Sequence, residues 1–187
     1  MDLTPTPSQT VGPYLHLGLT DTQSISCVAG DGVKGERIRL TFRVLDGEGV
    51  PVPDAMIELW QADSDGNYIE QDRGEKGAAF CGFGRLPTAE DGSCTFETIM
   101  PGCVPGPGEA LQAPHINVSI LGRGILKRLS TRVYFAGVAS NPADPVLVLV
   151  PENRRATLLA QPDTARSGSW IFEVRLRGEG ETVFFDV

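Results

Sequence analysis

A strict alternation of apolar and polar residues is the pattern that most limits what this chain can fold into. In the segment 36–45 (ERIRLTFRVL), arginine and threonine separate apolar residues at every second position: Ile38, Leu40, Phe42 and Val44. Side chains two apart in an extended strand point to the same face, so this segment predicts a strand with one buried face. The segment 170–177 (WIFEVRLR) alternates in the same way.

Short apolar segments separated by turns continue this pattern along the chain. The sequence has 22 glycines and 14 prolines, which is typical of a β-rich fold with many turns. Further strands are predicted at 52–63, 93–99, 115–121 and 129–135, and a last apolar stretch, TVFFDV, occupies 182–187. Short strands repeated in this way indicate an all-β fold, a β-sandwich.

The remaining segments fit a single domain with short helical segments. Residues 152–160 (ENRRATLLA) follow a proline and fit a short helix with proline at its start. The stretches 21–35 and 68–80 are expected to be surface loops. We therefore predict one domain over 1–187, with an extended N-terminal arm at 1–20 and the sandwich at 36–187.

Composition excludes several classes of function. The net charge is −8, from 16 basic and 24 acidic residues, which argues against nonspecific binding of nucleic acid. No apolar run approaches the roughly 20 residues of a membrane span, and the N-terminus (MDLTPTPSQT) has no signal-peptide pattern, so we expect a cytoplasmic protein. The four cysteines lack the spacing of metal ligands and are expected to be free thiols: Cys27, Cys81, Cys94 and Cys103.

Residues 113–120 (APHINVSI) raise the question of a metal site. In a strand, His115 and Asn117 point to one face while Ile116 and Val118 point to the other. Two histidines at this spacing would present two imidazoles to a metal, but an amide stands at the second position. From the residues alone, the simpler interpretation is that His115 is a strand histidine held by hydrogen bonds.

Several stretches together resemble the intradiol ring-cleaving dioxygenases, and they occur in that family's order. The residues that carry the resemblance are the strands of 36–68 with their PVP and WQA motifs, FGR (83–85), EDGSCTFETIMPG (90–102), APHIN (113–117) and the arm SQTVGPY (8–14). QTVGPYLHLGL near the start and GEGETVFFD near the end are most similar to one branch of the family, its alpha subunits. The resemblance covers nearly the whole chain and implies a β-sandwich of the intradiol dioxygenase type.

The resemblance implies a chemistry based on ferric iron. Members of the family hold Fe(III) with two tyrosines and two histidines, and the iron activates a bound catechol for attack by dioxygen. Phenolate is a hard, anionic donor that suits a trivalent metal, and an H-I-H strand supplies the imidazoles. In this chain the first histidine is His115, but Asn117 replaces the second. A neutral amide is a poor ligand for ferric iron.

The two tyrosines are missing as well. After the MPG turn (100–102), where the family has one tyrosine, this chain has Cys103 and Val104. The other tyrosine should lie near Asp72, where none is present, and Tyr68 comes too early and resembles a structural tyrosine of the family. Gln112 stands where catalytic chains use an arginine near the substrate. We therefore expect no iron on this chain and no catalytic residues of its own, with His115 and Asn117 as the remnant of a ligand strand.

The resemblance also implies a partner and a substrate. Alpha subunits pair with an iron-bearing beta subunit, which holds the Fe(III), and their arms approach the partner's active site. By motif, the residues expected at that shared pocket are Thr10, Gly12 and Pro13 from the arm, and Arg123 from LGRGI (121–125). The expected ligands there are a small aromatic acid and O2. A guanidinium suits the carboxylate of such an acid.

Two other interpretations remain open from the sequence. The chain could be a noncatalytic β-sandwich binding or structural module derived from the same fold, without an iron-bearing partner. It could also be a metalloenzyme with unexpected ligands such as His115, His16 and a cysteine. The second of these is disfavoured, because the two histidines lie far apart in the sequence and no recognisable further ligand is near either.

Overall fold

An eight-stranded sheet is the main element of the computed structural model, which describes residues 6–21, 24–69 and 80–186. Its strands are β1 (Arg37–Leu45), β2 (Met56–Gln61), β3 (Phe83–Pro87), β4 (Ser93–Ile99), β7 (His115–Leu121), β8 (Leu129–Phe135), β9 (Leu159–Pro162) and β10 (Ser169–Arg175). The order across the sheet is β3-β2-β7-β8-β9-β10-β1-β4. A separate two-stranded ribbon consists of β5 (Val104–Pro105) and β6 (Leu111–Gln112).

The sheet folds over until its two edge strands face each other. A Cβ added to Gly84 of β3 would lie 2.8 Å from the ring of Phe96 in β4, so glycine is needed for this close approach. The pairs β1–β10 and β8–β9 are parallel, and the other pairs are antiparallel. This nearly closed sheet with few helices confirms the predicted all-β, sandwich-like fold.

The alternating segment 36–45 provides the centre of the core, as its pattern predicted. The four alternating apolar side chains, of Ile38, Leu40, Phe42 and Val44, are buried, and the arginines between them are exposed. The ring of Phe42 lies edge-on to Phe96 and Phe172, with centroids 5.7 and 5.8 Å apart. Such aromatic pairs add about 0.5–1.5 kcal/mol beyond the burial of their area.

The predicted helix at 152–160 is wrong in its second half. The α-helix spans only Glu152–Arg155, a 3-10 turn covers Ala156–Leu158, and β9 begins at Leu159. Leu159 and Ala160 pair in parallel with β8, next to Tyr134 and Phe135. Leucine and alanine favour a helix locally, but pairing within the sheet outweighs that preference.

The stretch 21–35 is more than a surface loop, which corrects a second expectation. Val28 and Ala29 are fully buried, and isolated bridges join this stretch to β3, β4 and Phe80. Of the other predicted loop, residues 70–79 lie outside the described part of the chain, and Phe80 is buried. The last apolar stretch is not a strand in its described residues, and it contributes a single bridge between Phe185 and Ser130.

The described part of the N-terminal arm is irregular over residues 6–12, and helical residues 14–15 then lead into a short π-helical turn at His16–Thr20. Thr20 is buried, whereas Tyr14 is 81% exposed. In the part of the chain that the structure describes, none of the helices is long and apolar enough to cross a lipid bilayer.

Candidate functional site

The first residues of β7 place His115 and Asn117 on the same face of the sheet, as the alternation predicted. Ile116 and Val118 point the other way into the core, where both are buried. His115 is only 1% exposed and lies opposite Tyr134 of β8, and Asn117 is half-buried opposite Arg132. The two residues expected to be the remnant of a ligand strand therefore form a partly enclosed polar cluster at the start of β7.

Tyr68 joins these two side chains. The amide Nδ2 of Asn117 donates a hydrogen bond to the hydroxyl of Tyr68 at 3.0 Å, and Nε2 of His115 lies 3.4 Å from the same oxygen. The ring of Tyr68 is stacked on Trp60 of β2, with centroids 6.1 Å apart and planes 3° from parallel. Sequence reasoning placed Tyr68 outside the site, because its position after the turn at 64–67 gives no indication of a contact with β7.

Burial controls the protonation of His115. Its Nδ1 lies 2.8 Å from the carbonyl oxygen of Ala113, so an Nδ1–H donates to that oxygen and leaves Nε2 to accept from Tyr68. Burial lowers the pKa of His115, the nearby charge of Arg132 lowers it further, and the Ala113 hydrogen bond and Asp144 partly oppose this. His115 therefore lies in the strand with both ring nitrogens in hydrogen-bond contacts, and burial favours its neutral form.

The donor set of this cluster does not fit ferric iron. Burial raises the pKa of Tyr68, against smaller lowering effects from the Asn117 hydrogen bond and the charge of Arg132, so its oxygen is a neutral phenol. Asn117 directs an N–H, which cannot bind a cation, at that same oxygen. Gln112 accepts a hydrogen bond from Arg132 at 2.8 Å. A neutral amide and a cation therefore lie close to His115 and Asn117. A trivalent metal prefers anionic oxygen donors, and neither Tyr68 nor Asn117 supplies one to a site beside His115.

The positions where the family has its two tyrosine ligands do not complete a metal site either. Cys103 is exposed, and its carbonyl oxygen packs against Gly66, where any added Cβ would overlap it. Val104 is buried in β5. Asp72 lies outside the described residues. Across residues 6–21, 24–69 and 80–186, no three side chains of His, Cys, Asp or Glu are grouped so that they could hold a metal.

The buried carboxylate of Asp144 holds the residues next to the cluster in place, and no motif in the sequence indicates it. Asp144 is 0% exposed and accepts hydrogen bonds from the hydroxyl of Tyr134 at 2.9 Å and from the backbone N–H of Ala113 at 2.7 Å. It also accepts from the N–H groups of Val146 and Leu147. A carboxylate this deep requires such partners. Asp144 thereby fixes the backbone that leads into β7.

The residues predicted for a shared pocket lie at the other end of β7. Arg123 is in the turn that follows this strand. At a rise of roughly 3.3 Å per residue, the strand itself puts about 20 Å between His115 and Leu121. Thr10 is brought to this turn from the arm: its Oγ1 accepts from the N–H of Gly124 at 2.7 Å and lies 3.5 Å from the carbonyl oxygen of Gly122. The structure therefore brings Thr10 and Arg123 together, as a shared role would require.

Arg123 projects outward from this turn. Its side chain is 73% exposed, and Nη2 lies 3.4 Å from Oδ2 of Asp54. Gly12 and Pro13 are also exposed, and open space surrounds the α-carbon of Gly12. The carbonyl oxygen of Pro13 accepts from the N–H of His16 at 3.2 Å, which begins the π-helical turn. These four predicted residues are at the surface of this chain, and their contact with a partner stays a prediction.

Comparison with known proteins shows what the chain is related to. The family profile described as dioxygenase matches residues 11–178. The chain is 44% identical over 195 residues to a protocatechuate 3,4-dioxygenase alpha chain from Burkholderia cepacia, covering 97% of each chain. It is 35% identical over 158 residues to the beta chain from that organism, covering 79% of this chain and 67% of the beta chain.

A solved structure supports the same relationship. The dioxygenase domain of a dioxygenase–carbohydrate-binding fusion protein from Streptomyces sp. SirexAA-E superposes with a TM-score of 0.63 at 28% identity, covering 94% of this chain and 99% of that one. With the profile match over most of the sequence, this confirms the resemblance seen in the motifs. The chain belongs to the intradiol ring-cleaving dioxygenase family.

Proposed function

We propose that this chain is the iron-free alpha subunit of a protocatechuate 3,4-dioxygenase. In this proposal it pairs with an iron-bearing beta subunit, and the assembled enzyme uses O2 to cleave 3,4-dihydroxybenzoate to 3-carboxy-cis,cis-muconate. The observation that carries the proposal is the altered donor set around His115 and Asn117, in a chain that is 44% identical to an alpha chain along almost its full length.

The altered donor set argues that the chemistry takes place on another chain. A neutral phenol, an amide N–H and a neighbouring guanidinium surround the histidine of the strand. The beta chain from Burkholderia cepacia is itself a relative of this chain, which fits a pair of subunits built on one fold. The Fe(III) of the assembled enzyme is accordingly assigned to the beta subunit.

The contribution of this chain is assigned to the opposite end of β7. Arg123 is exposed on a turn that Thr10 holds through two backbone groups, so its guanidinium is available to a neighbouring chain. A carboxylated substrate in the partner's pocket would gain a charge-assisted contact from it. Gly12 and Pro13 are assigned to the same interface because they belong to the same exposed arm. We further propose that residues 1–187 form one domain and that the enzyme is cytoplasmic.

Co-expression tests this assignment directly. The chain is produced alone and together with a candidate beta chain encoded next to it, and each preparation is analysed for iron, subunit ratio and ring-cleaving activity. We expect a wine-red, iron-containing complex with equal amounts of both chains, and no activity from the chain alone. Isolation of this chain without any bound beta chain would favour the alternative, a noncatalytic binding or structural module of the same fold.

A further inference from the structure

We infer that Asp54 is a positioning residue that orients the guanidinium of Arg123 toward the shared substrate pocket. This inference rests on the proposed function, because it concerns the same Arg123. The carboxylate of Asp54 faces the guanidinium, with Oδ2 and Nη2 3.4 Å apart, and the two residues are 69 positions apart in the sequence.

The backbone of Asp54 supports a specific role for its side chain. Asp54 is the one residue other than glycine with a positive φ, 60°, among the residues that the structure describes. It follows a proline in a turn, at a place where glycine or asparagine is ordinarily favoured. Aspartate is among the few residues other than glycine that adopt this conformation, and residues held in it are often found at functional positions.

The turn that carries Asp54 is firmly held. The N–H of Asp54 donates to the carbonyl oxygen of Thr88 at 3.2 Å, and the N–H of Ala55 donates to Oγ1 of Thr88 at 2.9 Å. Thr88 is 3% exposed and also donates from its hydroxyl to the carbonyl oxygen of Val52 at 2.8 Å. The carboxylate of Asp54 therefore projects from a fixed point on the edge of the core.

Arg123 is thus held at two places. Thr10 fixes the backbone of its turn through the N–H of Gly124, and Asp54 lies against its guanidinium. The ion pair is long and exposed, with 73% of the Arg123 side chain and 50% of the Asp54 side chain accessible, so it adds little to stability. Its effect is on direction, because a long arginine side chain otherwise samples many rotamers.

Asp54 could instead compete with the substrate for the guanidinium of Arg123. A carboxylate beside Arg123 could occupy the guanidinium and weaken its hold on the substrate carboxylate. The length of the contact argues against this, because a bidentate pair with N–O distances of about 2.7–2.9 Å would be expected of a competitor. At 3.4 Å, most N–H groups of Arg123 remain free to donate elsewhere.

The test compares Asp54→Asn with wild type in the assembled complex. Asparagine tolerates the left-handed backbone and has the same shape, so only the charge is lost. We expect kcat/KM for 3,4-dihydroxybenzoate to fall about two- to fivefold, through KM, and the loss to shrink in about 0.5 M salt. Turnover of plain catechol, which lacks the carboxylate, should not change. In an Arg123→Gln background, Asp54→Asn should have no further effect.

Two further variants separate the orienting effect of the carboxylate from effects of backbone shape and net charge. Asp54→Gly relieves the backbone and should give the same kinetic loss, so equal losses on both substrates in either variant would overturn the inference in favour of a structural role. Glu97→Gln is the matched control for net charge, since Glu97 forms a similarly exposed pair with Arg39. A gain in kcat/KM for Asp54→Asn, or no change, would also overturn the inference. A wild-type complex without activity would instead overturn the proposed function.

Discussion

The side-chain amide of Asn117 donates a hydrogen bond to the hydroxyl of Tyr68 at 3.0 Å. These residues are 49 positions apart in the sequence, and their contact joins the start of β7 to the segment after β2. The amide thereby satisfies a half-buried phenol that has His115 on its other side. The start of β7 and Tyr68 thus share a neutral hydrogen-bonding network.

The first prediction is that Asn117→His does not create an iron site. The substitution restores the H-x-H spacing, but Tyr68 remains a neutral phenol and residue 103 remains a cysteine. We expect both the wild-type chain and the variant to contain negligible iron by elemental analysis. Near-stoichiometric iron with a tyrosinate-to-iron absorption band, in either protein, would contradict this prediction.

The second prediction concerns the charge of Arg123. In the assembled complex, Arg123→Ala should lower kcat/KM for 3,4-dihydroxybenzoate by about tenfold and have less effect on plain catechol, because only the former carries a carboxylate. The exposure of the side chain, 73%, places the expected loss at the low end of charge-assisted contacts. Arg123→Lys should recover part of the activity.

Iron content and subunit ratio serve as controls for that experiment. Both should be unchanged in Arg123→Ala, since the residue lies on an exposed turn. Equal losses of kcat/KM on the two substrates would show that Arg123 acts through structure or assembly. No loss on either substrate would show that Arg123 is a solvent-exposed residue without a role in catalysis.

The third prediction is a pH dependence of stability that originates at His115. Burial lowers the pKa of His115 in the folded chain, so the unfolded chain binds a proton more readily below the ordinary value of about 6.5. The stabilising contribution is therefore complete above about pH 6.5 and is lost as the pH falls toward the folded pKa. We measure the free energy of unfolding by denaturant at about pH 7.5 and about pH 5. It should fall less between these pH values for His115→Gln than for wild type.

The fourth prediction is that Gly66→Ala is strongly destabilising. Gly66 has a φ of +86°, and a Cβ at this position would overlap the carbonyl oxygen of Cys103. Left-handed strain and overlap together should cost roughly 2–4 kcal/mol of unfolding free energy. Gly108 has a φ of +66° with open space around it, so Gly108→Ala should cost only about 1–2 kcal/mol. Similar midpoints for the two variants in denaturant would argue against the overlap.

Alternating segments made much of this fold predictable. β1 and β7 have one buried face each. The alternation of apolar and polar residues is sufficient to predict that Leu40 and Ile116 point into the core. β3 is not predicted as a strand because its five residues, which include a glycine and a proline, show little periodicity. β9 was missed because Leu159 and Ala160 favour helix locally and become a strand only through their partners in β8.

The candidate site was predictable where a motif fixes the residue type and not where distant segments meet. His115 and Asn117 share a face because of their spacing alone. The contacts of Tyr68 with Asn117, of Asp144 with Ala113 and of Asp54 with Arg123 all join segments at least 31 positions apart. No local pattern encodes such contacts, since they depend on how the sheet closes.

The length of β7 has a consequence for how such a chain can change over time. Its first residue belongs to the polar cluster with Tyr68 and Asn117, and the turn after its last residue presents a cation to the outside. With about 20 Å of strand between them, substitutions that remove a ligand at one end leave the geometry of the other end intact. A duplicated chain can therefore lose its own metal chemistry while a neighbour continues to depend on it, and such dependence would keep the turn under selection.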